Sequence, residues 1–165
     1  MSTTSQSVVL RHEGESLGLL GVTKVPGAAT GGAFAIVEHV IPPGIMLAVP
    51  HTHSREDEVS FIIEGEIGGF IGDQVFRAPQ GAYVLKPRGI PHAVWNPGPE
   101  IARIAEIVSP AGFEAYFAEL NALLTSTPRE EAIARLPALG AQYGLTYHLE
   151  DLPRILQEHG VTLPS

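Results

Sequence analysis

The chain has 165 residues, 44% of them hydrophobic and 17% charged, which suffices for one sizeable core and leaves no room for two typical domains. Its formal charge is -8 and its ten basic residues are scattered, so no clustered basic face is available for a phosphate backbone and nucleic acid is excluded as a partner. Cysteine is absent, which excludes disulfides and thiolate ligands and restricts any bound metal to nitrogen and oxygen donors.

Met1 to Val9 is polar and then briefly apolar, without the basic start and long hydrophobic run of a leader, and nowhere do about 18 apolar residues stand unbroken. A cytoplasmic protein with no membrane partner is expected. From Val8 to Val25 short apolar stretches alternate with Gly14, Gly18 and Gly21, the pattern of one or two leading strands that pair at a barrel edge or with a second subunit. Pro26 to Gly32 reads as a loop. Strands then recur at short spacing with Pro and Gly punctuation: Phe34 to Ile41, Met46 to His53, Glu58 to Ile63, Glu66 to Phe70, Gln74 to Ala78, Ala82 to Lys86, Ala93 to Trp95 and Ile101 to Ser109. An antiparallel barrel or double-stranded sandwich follows from that pattern.

Beyond Ser109 the period changes. Phe113, Phe117, Leu120 and Leu124 fall at helical spacing and predict an amphipathic helix over Pro110 to Leu124. Thr127-Pro128-Arg129-Glu130 has the capping-box order, with Pro128 at the first helical position, and predicts a second helix to about Leu136. Leu152, Ile155 and Leu156 continue the helical spacing until Gly160, a helix stop. These helices are expected to cover a barrel face or a pocket mouth, with their aromatics packed on the sheet. One domain over 1-165 results, with leading strands and loop at 1-31, a barrel core at 32-109 and a helical extension at 110-165.

Two histidine-bearing segments carry the chemistry. His51 and His53 are two apart, so on an extended strand both imidazoles project from one face, as a single metal ion requires. Glu58 lies an odd number of positions further on, and a bulge or short turn across Ser54 to Asp57 must bring its carboxylate back to that face. A third imidazole has to come from a distant strand, and His92 sits on a short one between Gly89 and Asn96. Three nitrogens and one oxygen suit Ni, Fe, Mn, Co or Cu, with Zn also compatible. Glu56 and Asp57 read as a solvated charge run, and the isolated His12, His39, His148 and His159 as hydrogen-bonded structural residues.

The two segments resemble the paired motifs of the cupin superfamily. The first is carried by Gly44, His51, His53, Glu58 and Gly65, and the second, without gaps, by Gly81, Pro87, Gly89, His92 and Asn96. One departure is visible: six residues separate Gly44 from His51 where the family usually has five, which predicts a longer loop or bulge before the ligand strand. The resemblance implies a mainly β fold, the cupin double-stranded β-helix or jelly-roll barrel, followed by the C-terminal helical extension.

It also implies a site, with His51, His53, Glu58 and His92 holding one divalent transition metal per chain. Single-domain cupins with such ligands and a helical C-terminus resemble the quercetin 2,3-dioxygenase-like group. That implies a dioxygenase with O2 and a small enolisable or aromatic hydroxy-carbonyl compound as its partners. Glu58 would be both ligand and catalytic proton acceptor. Ser60, Ile62 and Val94 share the ligands' parity and are expected to line the substrate pocket, while Trp95 has the opposite parity and reads as packing. Cupin barrels commonly pair, so a homodimer is expected. Two other readings stay open: an oxygen-independent metallocupin acting as isomerase, decarboxylase or lyase, and a non-enzymatic small-ligand-binding cupin.

Overall fold

A computed structural model describes residues 7-164, so most of the Met1 to Val9 segment lies outside the described residues. Strand alternation builds two facing sheets. In chain order the strands are β1 (Glu15–Ser16), β2 (Val22–Val25), β3 (Ala35–Ile41), β4 (Met46–His53), β5 (Asp57–Glu64), β6 (Glu66–Ile71), β7 (Gln74–Pro79), β8 (Tyr83–Lys86), β9 (His92–Trp95) and β10 (Ala102–Ser109). A last strand, β11 (Leu145–Tyr147), follows α1 (Glu114–Ser126) and α2 (Arg129–Gln142), and α3 (Leu152–His159) comes after it. One sheet has the order β1-β2-β3-β10-β5-β8 and the other β11-β4-β9-β6-β7, the antiparallel double-stranded β-helix with a C-terminal helical extension.

Residues two apart on each strand face inward. Ile41, Ile62, Ile67, Val84, Val94 and Ile104 meet between the sheets in one buried cluster, each such side chain contributing about 1.5-3 kcal/mol of burial. The same inward register then turns polar: Glu58 and Ser60 precede Ile62 on β5, Lys86 follows Val84 on β8, and Glu106 follows Ile104 on β10, all buried. At the corner between β5 and β6, Gly65 has φ 73, and a Cβ there would meet the Ile101 carbonyl oxygen at 2.6 Å, so the turn requires glycine.

The leading strands pair inside this chain. β2 lies antiparallel on β3, and only the two-residue β1 is left at that edge, which removes most of the unpaired surface offered to a second subunit. The departure before His51 appears as register slips in the pairing of β4 with β9, between Met46 and Ala48 and again between Ala48 and His51. These are bulges, and they let the longer segment keep both histidines facing inward.

The helical zone differs from the sequence expectation in four ways. α1 begins at Glu114 rather than Pro110. The capping box is not made: Pro128 keeps an extended ψ of 142 and is itself the cap, which places Glu130 second in the helix, one position short of the box geometry. α2 also runs through Pro137 to Gln142 instead of ending near Leu136. Pro137 removes one backbone donor. Packing outweighs that loss, because Leu139 and Tyr143 join the cluster of Val108, Phe113, Tyr116 and Leu145. The fourth difference is β11 itself, which pairs with the histidine-bearing end of β4, Leu145 opposite His53 and Tyr147 opposite His51.

α3 covers the outer face of the second sheet, where Ile155 and Val161 pack with Met46, Ala93 and Trp95. Gly160, left-handed with φ 65, ends it as expected, its N–H donating to the Leu156 carbonyl. No helix among the described residues is long and apolar enough to cross a membrane.

Candidate metal centre

His51 and His53 leave β4 on one face, and His92 stands directly opposite His51 on β9, so the second sheet supplies three imidazoles. Glu58 comes from the first sheet. The segment Ser54 to Glu56 is a turn that carries the chain from β4 across to β5, and this, rather than a bulge within one strand, corrects the parity. One ligand atom from each of His51, His53, Glu58 and His92 lies within 4.8 Å of the others, and all four residues are buried.

The hydrogen bonds decide which ring atoms face inward. His51 Nδ1 lies 2.7 Å from the Val49 carbonyl oxygen and His92 Nδ1 lies 3.1 Å from that of Ile90. A carbonyl only accepts, so each Nδ1 carries the proton and each Nε2 of the neutral ring presents a lone pair. His53 Nδ1 lies 3.2 Å from Glu56 Oε2, an acceptor when ionised, so the same tautomer follows. Burial, then the neighbouring His92 and His53, hold the His51 pKa well below its ordinary value, and burial lowers that of His92 as well.

The inward atoms therefore repel one another. His51 Nε2 is 3.2 Å from His53 Nε2, His53 Nε2 is 3.4 Å from Glu58 Oε1, and His92 Nε2 is 3.2 Å from Glu58 Oε2. Lone pairs face lone pairs with no hydrogen between them, an arrangement that a divalent cation resolves and that neutral side chains alone do not. The residues fit a transition metal of nitrogen and oxygen preference.

Glu56, read from sequence as part of a solvated charge run, is only 6% exposed and is the outer partner of His53. The turn folds it under the ring, whereas Asp57 remains outside in a two-pronged pair with Arg88 at 3.1 and 2.7 Å. Glu56→Ala is expected to weaken metal binding about 10- to 100-fold by freeing the His53 ring. Competition against a chelator of known affinity reads this directly, and unchanged affinity would remove Glu56 from the site.

Behind Glu58 lies a second charged layer. Lys86 Nζ is 3.0 Å from Glu58 Oε2 and 2.7 Å from Glu106 Oε2, and Ser60 Oγ donates to that same Glu106 oxygen at 2.8 Å. Burial alone would raise the Glu58 pKa, but Lys86, then His53 and His92, hold the carboxyl well below its usual range. Burial pushes the Glu106 carboxyl up to about 6 against the pull of Lys86. Ile62 and Val94 sit inside the apolar core close-packed between the sheets, and Ser60 belongs to this polar layer.

Aromatic rings cover the cage. Phe113, just ahead of α1, meets His53 edge-on at 4.5 Å, and Tyr147 of β11 lies 6.4 Å from His51. Tyr116 stacks on Phe113 at 4.8 Å, and its hydroxyl is hydrogen-bonded to that of Tyr147. The aromatics of the helical zone thus both pack and reach the site. Trp95 faces the other way, stacked on His159 at 4.4 Å.

The isolated histidines have structural partners where contacts are formed: His148 Nε2 with Thr52 Oγ1 at 2.7 Å, and His39 Nδ1 with the Leu20 carbonyl. Burial lowers the His39 pKa from 6.5 to about 4. The unfolded chain therefore takes up this proton first as pH falls, and His39 costs the fold up to about 3 kcal/mol between pH 6.5 and 4, at roughly 1.4 kcal/mol per unit. Glu106 acts in the opposite sense, its raised pKa adding stability as pH falls from 6 to 4.5. Denaturation midpoints of His39→Gln and the parent, compared across this range, isolate the histidine contribution. An unchanged slope would place the effect elsewhere.

Residues 37-108 match the family model described as a cupin domain. Among curated proteins none matches the chain. Among solved structures it is similar to KdgF from Halomonas sp., at 17% identity and a TM-score of 0.54, over 66% of this chain and 99% of that one. A Klebsiella pneumoniae protein with a double-stranded β-helix domain is 20% identical with a TM-score of 0.49, over 56% of this chain and 76% of that one. A predicted oxalate decarboxylase from Thermotoga maritima is 21% identical with a TM-score of 0.48, over 54% and 77%. At 17% identity the likeness to KdgF is one of fold alone. With both histidine motifs inside the matched segment and the two-sheet barrel built around them, residues 37-108 are a cupin domain.

Proposed function

We propose that the protein is a metal-dependent dioxygenase that acts on a small enolisable or aromatic hydroxy-carbonyl compound, with O2 as second substrate. The observation that carries the metal part of this reading is the convergence of four lone-pair donors, three imidazole and one carboxylate, with every outward ring nitrogen tied to an acceptor. A divalent transition metal bound there supplies Lewis acidity and open positions for substrate oxygen and O2.

The protein's own residues do the rest. Val49, Ile90 and Glu56 fix the three rings, so the donors are pre-set before the ion arrives. Glu58, with Oε1 towards His53 and Oε2 towards His92, is the group assigned to accept the substrate hydroxyl proton. Phe113, Tyr116 and Tyr147 exclude water from the covered side of the cage.

A second reading is an oxygen-independent isomerase, decarboxylase or lyase, in which the same ion would act as Lewis acid for an enediolate or carboxylate without O2. Elemental analysis of protein purified without chelator or affinity metal comes first, and about one transition-metal ion per chain is expected. Oxygen uptake is then measured with flavonols and other enolisable hydroxy-carbonyl compounds. Uptake coupled to substrate loss supports the dioxygenase, equal turnover under argon supports the second reading, and absence of any metal overturns both.

A further inference from the structure

Lys86 stands directly across from Glu58 in the pairing of β8 with β5. Its ammonium bridges the two carboxylates, 3.0 Å from Glu58 Oε2 and 2.7 Å from Glu106 Oε2, and Ser60 Oγ holds the Glu106 oxygen at 2.8 Å. Glu106 Oε1 is buried and has no hydrogen-bond partner among the described residues, so this carboxylate spends its bonds on Lys86 and Ser60 alone. Apolar Ile62, Val84 and Ile104 occupy neighbouring inward positions on the same three strands. A buried ion set in such surroundings is a poor source of stability, since apolar side chains of like volume serve as well or better. Its value lies in what it holds.

Glu58 Oε2 also lies 3.2 Å from His92 Nε2, so it borders the cage while the Lys86 ammonium occupies its other side. We infer that Lys86, anchored by Glu106 and Ser60, is a positioning residue that competes with the metal for Glu58 Oε2, so that Glu58 ligates through one oxygen. This rests on the metal-site reading above and refines it. Three imidazoles and one carboxylate oxygen leave about two positions open on an octahedral ion, whereas a carboxylate gripping through both oxygens leaves about one.

The test uses Mn(II), whose exchangeable waters are counted by water-proton relaxation, in the full chain and in Lys86→Met and Lys86→Arg. The expected result is about one Mn(II) per chain in all three, with relaxation enhancement reduced by about half in Lys86→Met and restored in Lys86→Arg. An unchanged water count in Lys86→Met, or loss of the ion from that variant while its circular dichroism is native, overturns the positioning role and leaves the metal reading intact. No Mn(II), Co(II) or Ni(II) binding by the parent protein overturns the metal reading itself. Should Lys86→Met fail to fold, the carboxylate stretching frequencies of the parent decide the matter with isotope-labelled glutamate. A wide separation marks one-oxygen ligation, and a narrow one overturns the inference.

Discussion

Replacing His51 with alanine is expected to empty the site while leaving the barrel standing. The His51 Nε2 is 3.2 Å from that of His53, and its ring lies 4.4 Å from that of His92, so it occupies the middle of the imidazole wall. Removing it leaves two nitrogens and one oxygen, one donor short of the four that converge here, and leaves a gap in the middle of the imidazole wall. Disturbing a mere outer partner of a ligand costs about 10- to 100-fold in affinity, so loss of the ligand itself should exceed about 100-fold. The backbone at this position stays paired on both sides, to β9 and to β11, and the α1 and α2 signal in far-ultraviolet circular dichroism should be retained. Two readings check this together: metal content by elemental analysis, and the rise in Tm that added metal gives the parent, which the variant should lack. Metal content equal to that of the parent would show that the ion lies elsewhere.

Much of this centre was legible in the sequence because its ligands obey local geometry. Two histidines two apart on a strand, a glutamate after a turn, and a third histidine in a glycine-punctuated segment specify their own directions before any tertiary contact is known. The strands were legible for the same reason, since Ala102, Ile104 and Val108 alternate cleanly with outward residues on β10. What escaped was chemistry arising between elements distant in sequence. Lys86 and Glu106 lie on strands that both border β5, and nothing local pairs them. A sign was nonetheless present: Glu106 occupies the inward register between Ile104 and Val108, and a charged residue in an otherwise apolar register calls for a buried partner. Glu56 was hidden by its neighbours, because a run of acidic residues looks solvated until the turn geometry separates one from the next. β11 was missed because three residues are too few to show a period, and its identity as a strand comes wholly from the edge of β4 that it covers.

Phe113→Ala is expected to be the most damaging change in the helical extension. Phe113 is 3% exposed and links parts of the molecule that sequence separates: the His53 ring at 4.5 Å, Tyr116 at 4.8 Å, Phe117 at 5.2 Å and Tyr143 at 6.4 Å. Truncating a buried phenylalanine costs about 3-5 kcal/mol in lost burial and residual cavity. For a chain of this size the melting temperature should fall by about 10 °C. Phe113→Leu, which keeps most of the volume, should recover more than half of the loss. The metal ligands are untouched, so affinity at low temperature should change far less than in His51→Ala, while water gains access to the face of His53. Calorimetry of the two variants, with and without added metal, separates these effects. A drop of only a degree or two in Phe113→Ala would mean that α1 and α2 dock independently of the cage. A large drop that bound metal partly offsets would mean that the ion and the extension stabilise one another through the ring Phe113 lays against His53.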